Sequence, residues 1–266
     1  MTRVTVVGHV EWVHFIAVER FPARGAVTAA DAGFAHAGGG AVVAAAVLAE
    51  LGAEVDFFCA PGRDANGEAA VKELEARGVT VHAGWRDAPT RGIVTFLEAG
   101  GERTIITLGE RLEPAGDDPL PWAALERADG VYFTAGDAGA ARAAARAGVL
   151  VATPRARDGL AESGVAIDAI VFSAGDSDEH RWAQPFESRT RLMVQTEGTE
   201  GGCWWGESTG RWRSVPAPGP VRDDYGCGDA FAAGLTLGLA RGETLAAAAA
   251  VGATIGAEVS TRAGAP

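Results

Sequence analysis

Short apolar runs alternate along this chain with Ala-rich stretches whose apolar positions recur at helical spacing, the pattern of a sheet covered by helices. Runs at 4–8, 54–59, 130–134, 149–152, 169–172 and 192–196 predict strands. Stretches at 41–51, 68–77, 230–241 and 245–259 predict helices, the second closed by Gly78 and the last two separated by Gly242. Phe231, Gly234, Leu235 and Gly238 put small and large residues on one face of the third of these. Two segments leave the rhythm. Residues 11–36 hold Phe15-Ile16-Ala17-Val18 and Ala26-Val27-Thr28; residues 91–108 hold Ile93-Val94-Thr95-Phe96-Leu97, then Gly100-Gly101, then Thr104-Ile105-Ile106-Thr107, a hairpin pattern. Being inserted between parts of the α/β body, they form either a small separate sheet, a lid over a site, or an edge extension of the main sheet; periodicity leaves both open.

At 266 residues, with 47% hydrophobic and 22% charged positions, the chain buries a core as one α/β domain, 1–266. A net charge of −12 disfavours nucleic acid and acidic membrane surfaces and favours a small-molecule partner. Of 23 basic residues only Lys72 is a lysine, so phosphate contacts fall to Arg and backbone N–H groups, and no Walker A sequence is present. Cys59, Cys203 and Cys227 are too far apart in sequence to read as a disulfide framework or structural zinc site, and His9, His14, His36, His82 and His180 lack ligand spacing and read as structural or solvated. With neither a signal-peptide pattern nor a window long enough to span a membrane, the expected location is the cytoplasm.

The chemistry concentrates in Asp223-Asp224-Tyr225-Gly226-Cys227-Gly228-Asp229-Ala230-Phe231, where two glycines and a carboxylate meet the start of a helix. Such a turn aims N–H groups at an anion, while Asp229 is placed to accept a proton from a bound hydroxyl. The ordinary reading of an Asp there is an N-cap, which needs neither glycine.

Gly226-Cys227-Gly228-Asp229-Ala230-Phe231 resembles the Gly-Ala-Gly-Asp-Ala-Phe signature of the ribokinase-like (PfkB) carbohydrate kinases, and further landmarks follow the family order. Gly38-Gly39-Gly40 leading to Leu51-Gly52 resembles the first glycine-rich signature, and Gly62, Asp64 and Gly67 the loop after it. Gly101-Glu102-Arg103-Thr104 resembles the lid hairpin, Thr196-Glu197-Gly198-Thr199-Glu200-Gly201 the nucleotide loop, and Thr261-Arg262-Ala263-Gly264-Ala265 the closing motif. The resemblance implies a three-layer α/β/α fold with a mostly parallel sheet and a β lid, and transfer of the ATP γ-phosphoryl group to a hydroxyl of a sugar or related small molecule, with a nucleoside as the alternative acceptor. ATP and Mg2+ are then the cofactors, with K+ as a further candidate. Asp229 takes the role of base, and the N–H groups of Gly226, Cys227 and Gly228 that of anion hole. The nucleotide falls to Thr196, Gly198, Gly201, Ser173, Asp176, Gly252 and Ala253, and the acceptor to Glu11, Val13, Gly38, Gly39, Gly40, Val43 and Arg103. Asp176 is an indirect Mg2+ contact. Asp223 is either a monovalent-cation contact or an exposed loop acid, and Arg103 either reaches an anionic group or is a solvated turn residue.

Departures from the family pattern fall at one end of the site. Val13 stands where many relatives hold the sugar with Asp, Glu11 where Asn is frequent, and Val43 where a sugar-binding Asn is usual. Unpartnered buried hydroxyls cost on the order of 1–3 kcal/mol each, which weakens a ribose- or fructose-type binding mode unless Glu11 takes over a contact. Trp12 is placed to stack on a ring or to pack in the core. Ser173-Ala174-Gly175-Asp176 stands for the Asn-x-x-Glu segment that helps order Mg2+. Three readings follow: an active kinase with an unusual acceptor, a sugar or nucleotide sensor on the same fold, and a dinucleotide-dependent oxidoreductase suggested by Gly38-x-Gly40, which lacks the third glycine at Val43. The exposed edges of a small lid sheet also imply a homodimer through the lid.

Overall fold

The structure is a computed structural model that describes residues 1–99 and 102–264; Gly100, Gly101 and Ala265 of the sequence motifs lie outside them. Its strands are β1 (Arg3–Val7), β2 (Glu11–Val18), β3 (Ala32–Gly38), β4 (Glu54–Cys59), β5 (Thr80–Ala83), β6 (Arg91–Glu98), β7 (Arg103–Leu108), β8 (Gly130–Phe133), β9 (Leu150–Ala152), β10 (Ile167–Ser173), β11 (Thr190–Thr196), β12 (Gly202–Gly206) and β13 (Gly210–Trp212). The helices are α1 (Gly40–Glu50), α2 (Ala65–Ala76), α3 (Ala138–Ala144), α4 (Arg157–Ser163), α5 (Ser177–Ala183), α6 (Cys227–Ala240) and α7 (Leu245–Val259).

Nine strands form one sheet in the order β13-β12-β11-β10-β9-β8-β1-β4-β5, parallel except at β11-β12-β13. Successive residues feed opposite faces: Ala169 and Val171 of β10 join the core under α1, α6 and α7, while Ile170 and Phe172 join the core under α3, α4 and α5. That two-sided burial explains why the strands read as continuous apolar runs. From β1 the chain builds outward to β4 and β5, and later on the other side through β8, β9 and β10, so the order reverses between β1 and β8. Ligands in open α/β sheets bind beyond the strand ends at such a reversal. Gly8 and Thr134 end β1 and β8 there.

The two segments that broke the rhythm form a separate four-stranded sheet, β3-β2-β6-β7, rather than an edge extension. β2 runs parallel to β6, and the outer pairs are antiparallel. Its inner face carries Val13, Phe15 and Ile93, packed with Leu97 and Tyr225. Trp12 packs against the main core, which accounts for its ring without a stacking partner in the cleft. Asp64 caps α2 by accepting from Gly67 N at 2.8 Å, and it also accepts from Thr90 N at 2.8 Å and Thr90 Oγ1 at 2.7 Å. The loop that resembles a family landmark therefore fixes the start of β6. Sequence periodicity missed β5, the β12-β13 hairpin and the short helices α3, α4 and α5, each of them too short to establish a period.

Candidate active site

Gly226 is the N-cap of α6 and adopts φ 75°, a left-handed conformation that favours glycine. Asp229 therefore sits two residues inside the helix beyond its first position and makes no capping bond, so the N-cap reading fails. Its carboxylate turns back over the sheet. Tyr132, on β8 and 2% exposed, donates to Asp229 Oδ1 at 3.2 Å. On another side stands Gly40, where a Cβ would come within 2.3 Å of Oδ1. Burial pushes the Asp229 carboxyl up to about 6, against the hydrogen bond from Tyr132 and the nearby charge of Arg155, which favour the ionised form.

The first helical bond of this turn runs from Ala230 N to Gly226 O, which leaves Gly228 N and Asp229 N without intrahelical acceptors. Gly228 borders open space, with nothing within 4 Å of a Cβ placed there. Cys227 N is committed to Asp224 O at 3.3 Å, and burial pushes the Cys227 thiol up to about 12, so the thiol stays protonated at neutral pH. Asp223 is not the exposed acid of the pair. At 8% exposure it accepts from Tyr225 N at 2.9 Å and Gly264 N at 2.8 Å, tying the turn to the closing motif. Asp224 is the exposed one, and it pairs with Arg103 of β7 at 2.7 Å, so Arg103 fastens the small sheet to the turn.

Gly38, Gly39 and Gly40 form the floor between the two sheets. Gly39 has φ 94° and donates its N–H to Tyr225 Oη at 3.0 Å; a Cβ there would lie 3.2 Å from His9 Nε2 and 3.3 Å from Glu11 Oε2. Gly38 lies against Val13 and the Tyr225 hydroxyl. Val13 and Val43 are 0% and 3% exposed, so both are core residues and neither offers a polar contact. Glu11 is 8% exposed, with Oε1 at 3.4 Å from both His9 Nε2 and Arg91 Nη1. Burial alone would push its carboxyl up, but the bond with His9 and the charges of Arg91 and Arg111 outweigh this and hold it below the usual range.

Sequence reading missed His9, Arg91 and Arg111. Arg111 Nε donates to His9 Nδ1 at 3.2 Å, Nη2 to the Thr134 carbonyl at 2.8 Å and Nη1 to the Arg155 carbonyl at 3.3 Å. A guanidinium cannot accept, so His9 Nδ1 is the bare nitrogen and Nε2 carries the proton toward Glu11. Burial, reinforced by Arg111, lowers the His9 pKa and keeps the ring neutral.

On the nucleotide side, Ser173 and Thr196 are register partners at the ends of β10 and β11. Gly198 borders open space at φ 57°, whereas Gly201 approaches the backbone of Trp212–Ser214 closely. Gly252 is buried where α7 crosses α6, with Phe231 O 2.6 Å from a Cβ placed on it. It serves helix packing rather than the nucleotide surface, and Ala253 beside it is half-buried. Asp176 caps α5 and binds Arg155 Nη2 at 2.8 Å. Glu179, another residue missed from sequence, is 8% exposed, pairs with Arg155 and accepts from Ser173 N at 2.9 Å. No group of three or more acidic, His or Cys side chains suited to a metal exists among the described residues.

Comparison with known proteins agrees with this architecture. The family model for pfkB family carbohydrate kinases matches residues 1–157 and 167–266. The chain is 28% identical over 250 residues to an ATP-dependent ribose-1-phosphate kinase of Halopiger xanaduensis, covering 88% of this chain and 83% of that one. Among solved structures it resembles ribokinase from Thermotoga maritima, with TM-score 0.82 and 18% identity over 100% of this chain and 95% of the other. The nucleoside kinase of Methanocaldococcus jannaschii gives TM-score 0.75 and 17% identity over 99% and 93%. Arabidopsis thaliana ribokinase, solved with ribose and ATP, gives 0.76 and 20% over 99% and 94%. The chain belongs to the pfkB family of carbohydrate kinases.

Proposed function

We propose that this kinase moves the γ-phosphoryl group of ATP to a hydroxyl of a sugar or related small molecule, with Asp229 as general base. The observation that carries this is the Asp229 carboxylate, held between Tyr132 and Gly40 beside the open first turn of α6. The acceptor hydroxyl gives its proton to Asp229 as its oxygen bonds to the γ-phosphorus; the bond to the β,γ-bridging oxygen breaks and ADP leaves. The N–H groups of Gly228 and Asp229, at the positive end of α6, steady the charge on the transferring group. Gly198, Thr196 and Ser173 line the approach of the nucleotide. A carboxyl at about 6 is ionised above neutral pH yet more basic than an ordinary Asp, so activity rises with pH through that value and then levels.

Mg2+ commonly rests on nucleotide phosphates, water and one or two carboxylates rather than a full protein cage. The pair Asp176 and Glu179 fits that limited role, although Arg155 shares both. When bound, the ion neutralises charge on the β- and γ-phosphates. Asp223 spends both oxygens on backbone N–H groups, which suits a structural tie, and K+ dependence is a separate test: replacing K+ by Na+ in the assay.

The curated relative acts on a sugar phosphate and one structural neighbour on nucleosides, so both are acceptor classes to assay. ADP release with a panel of sugars, sugar phosphates and nucleosides tests the kinase reading; binding of an ATP analogue without turnover of any acceptor would leave the sensor. We also propose that the small sheets of two copies pair, because Phe34, Ile105, Ile106 and Leu108 on its outer strands are 43–55% exposed. A monomeric mass in sedimentation at micromolar concentration would refute this. Among the described residues no helix is long and apolar enough to cross a membrane.

A further inference from the structure

We infer that Arg155 is a further catalytic residue of this kinase, its guanidinium donating to the γ-phosphoryl oxygens of ATP as that group crosses to the acceptor. This deepens the proposed kinase reading and rests on it. The charge to be offset spreads over three outer oxygens, and the N–H groups of Gly228 and Asp229 reach them from one helix end alone.

Strand order puts Arg155 in the path. β8, β9, β10 and β11 lie side by side in the main sheet, spaced about 4.8 Å apart. β8 carries Tyr132, which donates to Asp229, so the base lies over that strand. β10 and β11 end at Ser173 and Thr196, on the nucleotide side. A group passing from there to a hydroxyl beside Asp229 crosses the end of β9, and β9 leads through Thr153 and Pro154 into Arg155. The single lysine, Lys72, lies on α2, so the cation at this place is an arginine.

The side chain is held without being used up. Its Nη2 donates to Asp176 Oδ2 at 2.8 Å and its Nε to Glu179 Oε1. The remaining oxygens of these carboxylates are fixed by the main chain: Asp176 Oδ1 accepts from Asp178 N and Glu179 N, and Glu179 Oε2 from Ser173 N. One edge of the guanidinium is thus tied to α5. Nη1 makes no hydrogen bond among the described residues, and the side chain is 52% exposed. The backbone is pinned as well, because the Arg155 carbonyl accepts from Arg111 Nη1 at 3.3 Å. Burial alone would lower the Arg155 pKa, but the charges of Glu179, Asp176 and Asp229 outweigh it, so the group stays cationic within the field of the base. Arg111, in contrast, spends all three nitrogens on His9 and two carbonyls.

Arg155 moves no proton and forms no covalent bond. The acceptor oxygen bonds to the γ-phosphorus, the β,γ-bridging bond breaks, the hydroxyl proton goes to Asp229, and the guanidinium offsets charge on the outer oxygens.

The test joins an ADP-release assay, with Mg-ATP and a panel of sugars, sugar phosphates and nucleosides, to titration calorimetry of ADP and a non-hydrolysable ATP analogue. Arg155→Gln should lower kcat by about 10²–10³-fold while acceptor KM stays within about 3-fold. The wild-type protein should bind the analogue about 10-fold or more tighter than ADP, and Arg155→Gln should bind the two alike. A wild-type rate in Arg155→Gln would overturn the inference and leave the kinase reading intact. A fall in kcat with the preference for the analogue kept would mean that the side chain only holds α5, which also overturns it. If no acceptor releases ADP, the kinase reading falls, and calorimetry alone decides the contact: a preference lost in the variant supports it, and one kept or absent from the wild type overturns it. Should Arg155→Gln fail to fold by circular dichroism, Arg155→Lys keeps a cation for α5 and takes its place in both measurements. Its expected loss is about 10-fold in kcat, because an ammonium lacks the planar fork that serves carboxylate and phosphoryl oxygens together.

Discussion

The two ends of the cleft are built in opposite ways. At the proposed transfer end a single turn, Gly226 to Asp229, supplies the helix N-terminus, the open Gly228 and the proposed base, and the rest of the fold contributes chiefly Tyr132 and Gly40. At the proposed acceptor end no two of the polar groups share an element: Glu11 begins β2, the neutral His9 precedes it, Arg91 begins β6, and Arg111 follows β7. Chemistry common to a family needs only a local backbone solution, whereas a substrate is met by side chains brought together from afar. The first end should therefore fail in kcat and the second in KM for the acceptor.

The largest effect expected is at the base. Asp229→Asn should lower kcat by about 10²–10⁴-fold with ATP affinity within a few-fold, and a variant with wild-type rate would assign the base elsewhere. The same substitution should stabilise the fold. Because burial raises this carboxyl from 3.8 to about 6, its ionisation opposes folding; the penalty is absent below about pH 4 and complete above about pH 6. Thermal unfolding at pH 8 should show Asp229→Asn more stable by about 1–3 kcal/mol, a gain that vanishes near pH 4. Equal stability at both pH values would mean that the carboxylate is solvated.

Next comes the floor shared by the two ends. In Gly40→Ala the new methyl would lie 2.3 Å from Asp229 Oδ1, and the side chain must swing away to admit it. Misplacing a catalytic group by about 1 Å can cost about 10²-fold, so kcat should fall by that order while acceptor KM stays within a few-fold. A rise confined to KM would show that Gly40 belongs to the acceptor end.

The contrast between the ends also explains what the sequence disclosed. The alternation of apolar runs disclosed the layered sheet, because two-sided burial leaves local traces, while the rhythm break at 11–36 and 91–108 marked the segments of the second sheet without deciding between a separate sheet and an edge extension. Gly226 and Asp229 were legible because a positive φ and a helix start demand particular residues in a row. His9, Arg91, Arg111 and Glu179 were not, since nothing in the neighbourhood of any of them marks its partner, and His9 was read as structural or solvated. The one hint was compositional: a single lysine among 23 basic residues threw anion binding onto Arg. Gly252 misled for the opposite reason, its helix-packing role being set by Phe231 and Gly234 on another helix.

A smaller effect is expected at Tyr132, which donates to the ionised form of Asp229 and so restrains the rise of its pKa. Tyr132→Phe removes that donor without changing the ring, and the Asp229 carboxyl should move further above about 6. Since the base acts only when ionised, the acid limb of the kcat/KM profile should shift to higher pH. Activity should drop about 3–10-fold near pH 6 and hardly at all at pH 8.5, on the scale of one hydrogen bond to a charged group. An unmoved limb, or an equal loss at every pH, would show that Tyr132 only fills space.

The smallest effect belongs to the contact that joins the two regions, Arg103 to Asp224 at 2.7 Å, with side chains 31% and 76% exposed. A rim ion pair is typically worth about 0–1 kcal/mol and weakens with salt. Arg103→Ala should therefore raise acceptor KM about 2–5-fold at low ionic strength, less at 0.5 M salt, and leave kcat within about 2-fold. Asp224→Ala should do the same, and the double variant should be no worse than either alone, because each removes the same latch between the small sheet and the transfer turn. Additive losses would mean that Arg103 leaves Asp224 to touch the acceptor, and the acceptor end would then have a third cation.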